Sequence, residues 1–88
     1  MVSADIIRLK ERIKELEKNR QTLENELDET VEYADYIATN GEEDGAEELP
    51  ALEIEIDRIR LRIDMIDDSI QELEEDIEEI RDLTGLND

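Results

Sequence analysis

The sequence predicts an all-α fold: an antiparallel two-helix coiled-coil hairpin, with helices over about residues 4–39 and 50–84, that pairs with a second copy into a four-helix bundle. Three observations lead there. Apolar residues recur at alternating steps of three and four along two stretches of the chain. Charged residues make up 44% of the 88 residues, while Gly is limited to three and Pro to one, a composition suited to long helices. The two stretches also share one pairing register about a single acidic loop.

The first stretch runs through Ile6, Leu9, Ile13, Leu16, Arg20, Leu23, Leu27, Thr30, Ala34 and Ile37, which alternate as heptad positions a and d. Arg20 and Thr30 are its only polar members. Ser3 is the expected N-cap, with Asp5 in the first turn, where a negative charge favours the positive end of the helix dipole. Asn40 and Gly41 are expected to stop the helix, Gly41 in the left-handed position beyond its end. The acidic loop 41–48 follows, containing Glu42, Glu43, Asp44, Glu47 and Glu48.

Pro50 suits the first helical position of the second helix. Its seam is apolar without exception: Leu49, Leu52, Ile56, Ile59, Ile63, Ile66, Ile70, Leu73, Ile77 and Ile80. Gly85 ends it, and Leu86 can fold back over the last turn. High net charge favours disorder, but disorder does not place apolar residues at 18 of 20 seam positions. Two helices of about equal length joined by a short loop fold back on each other. Pairing residues whose numbers add to 89 or 90 matches the two heptads throughout: Leu27 meets Ile63, Leu16 meets Leu73, and Leu9 meets Ile80. Residues 1–88 are thus expected to form one helical-hairpin domain.

Composition excludes several functions. With no Cys and no His, neither a disulfide nor a Cys/His zinc site can form, and nucleophilic catalysis by Cys or by a Ser–His pair lacks its parts. Tyr33 and Tyr36 are the only aromatics, and the formal net charge is −19, so no direct nucleic-acid binding is expected. No membrane span and no signal-peptide pattern is read, which gives a soluble, cytoplasmic protein as the expectation. No enzyme activity, cofactor or metal is expected. Placing Gly45 at the sixth position of a calcium loop puts Ala51 where a bidentate Glu is required, so the loop is not read as an EF-hand.

Charge is uneven along the chain. Residues 1–20 carry +2, residues 21–57 carry −14 with no base, and residues 58–88 carry −7. On the g flank of the hairpin Arg12 would face Asp76 and Glu26 would face Arg62; on the e flank Glu17 would face Glu74 and Glu24 would face Asp67. Arg20 at a core position reads either as a device that fixes register or as a stem packed on the seam with its head in water, the second being the more ordinary. The acidity itself reads as a surface adapted to high salt, or as mimicry of nucleic acid by an inhibitor of a basic protein.

Apolar residues outside the seam mark the candidate interaction surface. Ile54, Leu61 and Met65 occupy f, f and c positions, and Val31, Tyr33, Tyr36 and Ala38 lie near the loop. A lone hairpin would leave them in water, and an apolar strip of this kind marks a contact surface. Self-association into a homodimer is the favoured reading; scattered surface hydrophobes and a different protein partner remain open.

The loop sequence Gly41-Glu42-Glu43-Asp44-Gly45-Ala46-Glu47-Glu48 loosely resembles the acidic tip G-D-L-x-E-N-A-E-Y of the coiled-coil hairpin in GreA-type transcript cleavage factors. The match needs a one-residue gap, Gly45 and Glu48 replace the Asn and Tyr of that motif, and the globular domain of that family has no counterpart here. The resemblance implies a tip that reaches into the secondary channel of RNA polymerase and holds a metal ion.

Overall fold

The computed structural model describes residues 3–40 and 47–85. It contains two helices, α1 (Ala4–Asn40, 37 residues) and α2 (Leu49–Thr84, 36 residues), packed along their length as an antiparallel hairpin measuring 63 × 15 × 14 Å. Among the described residues there is no strand.

The helix ends follow from local chemistry. Ser3 caps α1: its Oγ accepts from the Asp5 N–H at 3.2 Å, and its carbonyl accepts the first helical bond, from Ile7, at 3.1 Å. α1 runs one residue beyond the expected end, to Asn40, whose side-chain amide donates to the Tyr36 carbonyl at 2.8 Å and so folds back on the last turn. α2 begins one residue earlier than expected. Leu49 takes the first helical position and Pro50 the second, where a missing N–H still leaves no helical bond unmade. Glu48 precedes it with helical backbone angles and no side-chain capping bond. Gly85 ends α2 with φ 68° and ψ 17°, a left-handed conformation that glycine adopts without strain, and its N–H donates to the Arg81 carbonyl at 2.8 Å. Gly41 and Leu86, read above as a helix stop and a final-turn cover, lie outside the described residues.

All twenty seam positions are buried or half-buried. Ile6, Leu16 and Ile37 of α1 and Ile56, Ile59 and Ile77 of α2 are the buried ones. The rest stay half-covered, because one neighbouring helix can shield only one side of a narrow apolar stripe. Thr30 is tolerated in the seam because its hydroxyl donates to the Glu26 carbonyl at 2.8 Å, so no unsatisfied hydroxyl faces the apolar residues. The register is the expected one: Leu23 and Ile66 line one surface groove together, and Leu9 and Ile80 line another.

The seam generates a direct test. A Leu27→Cys/Ile63→Cys chain should oxidise to an intramolecular disulfide, because the register sets these two positions face to face. A Leu16→Cys/Ile56→Cys chain should not. Cross-linking in the second chain and not the first, read by mass spectrometry, would overturn the register.

Candidate functional site

Antiparallel pairing gives the hairpin two broad faces beside its seam. On one, e and b positions of both helices lie together; on the other, g and c positions do.

The e/b face carries the ionic contact of Arg20. This side chain is half-buried at its seam position, and its Nε lies 2.8 Å from Oδ1 of Asp67 on α2 and 3.6 Å from Oε1 of Glu24 on α1. The N–H is not aimed at either carboxylate, so these are charge contacts and not hydrogen bonds. Glu24 and Asp67 are the like-charged pair that the register sets face to face, and Arg20 stands between them. The core position of Arg20 thus has an electrostatic reason: it joins the helices while relieving a repulsion that the heptads impose. All three groups are substantially solvent-exposed, with side chains 39–45% accessible, which keeps the contribution of each pair to about 1 kcal/mol or less.

The g/c face differs. Arg12 pairs with Glu15 of its own helix at 3.0 Å rather than with Asp76. Glu26 and Arg62 do line one groove, together with Ala51, Ile54, Glu55, Arg58 and Ile59. A second groove is lined by Asn19, Thr22, Leu23, Arg62, Met65 and Ile66. The short side chains of Asn19 and Thr22 leave its apolar floor open to solvent.

The apolar residues singled out from the sequence separate into groups. Ile54, Leu61 and Met65 are 60%, 60% and 61% exposed on the outward side of α2. Tyr33 and Tyr36 are also exposed. Val31, expected in water, is half-buried, because its e position borders the seam. Ile7 and Leu83 are exposed large hydrophobics that the sequence reading passed over; b and g positions near the termini were the available signal. Glu42, Glu43 and Asp44 lie outside the described residues, and Glu47 and Glu48 are exposed in the turn leading into α2. Among the described residues no cluster of three or more His, Cys, Asp or Glu is placed to hold a metal ion. None of their charged side chains is buried.

Tyr33 and Glu48 form a tie that the sequence did not reveal. The Tyr33 hydroxyl donates to Oε2 of Glu48 at 2.8 Å, joining α1 to the entrance of α2 across the loop. This hydrogen bond, and then the charge of the Glu48 carboxylate, raise the Tyr33 pKa above its ordinary value of 10.0.

Comparison with protein-family models, with curated proteins and with solved structures yields no match. Among the described residues, no helix is long and apolar enough to cross a membrane.

The tie has a pH signature. A raised phenol pKa means that the unfolded chain releases this proton first. The stabilisation is therefore complete below the ordinary value of 10.0 and is lost as pH rises through the folded-state pKa. Tyr33→Phe should remove the late phenolate component in an absorbance titration, and Glu48→Gln should move it back toward the ordinary value. A wild-type titration without a late component would refute the tie.

Proposed function

We propose that the protein acts without catalysis, through protein–protein contact, and that its first partner is a second copy of itself in a four-helix assembly. The observation that carries this reading is the exposure of Ile54, Leu61 and Met65 outside the seam. The half-covered seam supports it, since a second hairpin would shield apolar surface that one helix cannot. The non-catalytic reading draws on the absence of His and Cys from the sequence, and on carboxylates that are all solvated among the described residues, where acid–base chemistry gains no help from a dry setting.

A surface adapted to high salt accounts for the acidity. In molar salt the Debye length falls to about 3 Å, so self-repulsion in a chain of this charge largely disappears. The base-free stretch 21–57 favours a second reading, in which the rod mimics nucleic acid toward a basic protein. Capture of a basic nuclease or repressor, in place of self-association, would select it.

Two measurements test the main reading. The double substitution Leu61→Glu/Met65→Glu should give a monomer by sedimentation, with a loss of apparent stability on the order of several kcal/mol. A wild-type chain already monomeric at high micromolar concentration would overturn self-association. The melting temperature should rise by on the order of ten degrees between about 10 mM and 1 M NaCl, where the Debye length shrinks from about 30 to about 3 Å. A melting temperature that is flat or falls would remove the support for salt adaptation.

A further inference from the structure

In the loop-proximal half of the hairpin the two faces are unequal in charge, and the difference bears on where a second copy docks. Over residues 19–36 and 51–69, the e and b positions hold three acids of α1 and four of α2, from Glu24 to Asp67, against a single base, Arg60. Over the same span, the g and c positions hold Glu26, Glu29 and Glu55 against Arg58 and Arg62. In this half of the rod one face is strongly anionic and the other nearly neutral, whereas over the whole of both helices the e/b positions carry −6 and the g/c positions −4. In this half of the rod a partner that itself carries −19 is repelled more strongly by the first face than by the second.

The g/c face also carries grooves. Two grooves on it reach the middle of the seam, with Leu23 and Ile66 at the floor of one and Ile59 in the other. Met65 and Ile54 stand on their rims, so the apolar strip on α2 continues around this side to the seam. Its charges are arranged for self-pairing. The acids Glu26 and Glu29 belong to α1, and the bases Arg58 and Arg62 belong to α2 at the same level of the rod. A two-fold that lays α1 of one hairpin over α2 of the other brings acids against bases twice.

We propose that a second copy of the chain docks on the g/c face, closing the groove lined by Asn19, Thr22, Leu23, Arg62, Met65 and Ile66, and that the e/b face stays in solvent. The inference rests on the self-association reading and specifies its geometry. It explains the small, uncharged residues at 19 and 22: they let an opposing helix approach the seam. The arrangement leaves the anionic faces of both copies outward, where ions can screen them.

Two charge-matched variants test it. Asn19→Glu/Thr22→Glu and Gln21→Glu/Gln71→Glu each add two negative charges at exposed helix positions, the first pair on the g/c face and the second on the e/b face. Sedimentation equilibrium at one fixed ionic strength should show the dimer weakened by about tenfold or more in the first variant, because like charges brought into an interface are strongly unfavourable there, and little changed in the second. Equal weakening in both, or weakening in the second alone, overturns the docking face while leaving self-association intact. A monomeric wild type overturns self-association itself. A second readout does not depend on how the glutamates are tolerated. The chain has no cysteine of its own, so single-site variants are clean probes. A short bis-maleimide should link Asn19→Cys chains into dimers and leave Gln21→Cys chains unlinked; the reverse result overturns the proposal.

Discussion

Everything in this molecule depends on one strip of aliphatic contact between two helices. A hairpin of this size has no second layer and no central core; it has a seam, in which α1 and α2 each present about one residue per turn. Because nine of the ten seam residues on each helix have a partner whose number adds to 89 or 90 with their own, a slip of one helix past the other would misplace all the pairs together. The register is therefore set collectively. The acidic surface has no comparable authority, since exposed ion pairs contribute about 1 kcal/mol or less each.

That hierarchy explains which parts of the structure could be read from the sequence. The helices, their antiparallel pairing and the Leu23–Ile66 and Leu9–Ile80 levels were legible, because they follow from periodicity summed over many residues. Ser3 and Gly85 were legible because one residue type satisfies one local need. The ion pairs were not. Arg12 has partners within reach on its own helix and across the seam, and differences too small to read from spacing gave it to Glu15. For Arg20 the spacing leaves open a register device and a packed stem with a solvated head, and its contact with both Glu24 and Asp67 depends on where a long side chain leans. The Tyr33–Glu48 tie likewise depends on backbone geometry at the entrance of α2.

The candidate surface was half legible. Heptad positions identified Ile54, Leu61 and Met65 as residues the seam does not use, and they are exposed. What the positions alone did not show is that two grooves open on the g/c flank. On that flank Asn19 and Thr22 are short, while the opposite flank carries Glu24 and Asp67 with Arg20 drawn between them. A repeated heptad treats the two flanks alike, and only the residues placed on them make one face of the rod different from the other.

The Tyr33–Glu48 tie also bears on how the chain reaches this state. It joins residues only 15 apart, whereas Leu9 and Ile80 meet at the far end of the rod. Closing the first short loop carries most of the entropic penalty, and each later layer of the seam adds contacts to a loop already closed. The hairpin thus zips from the loop toward the termini. Its first contacts must form inside the stretch 21–57, where the net charge is −14. The kinetic barrier and the greatest electrostatic repulsion share one end of the molecule, so added salt acts chiefly by speeding folding and leaves the rate of unfolding comparatively untouched.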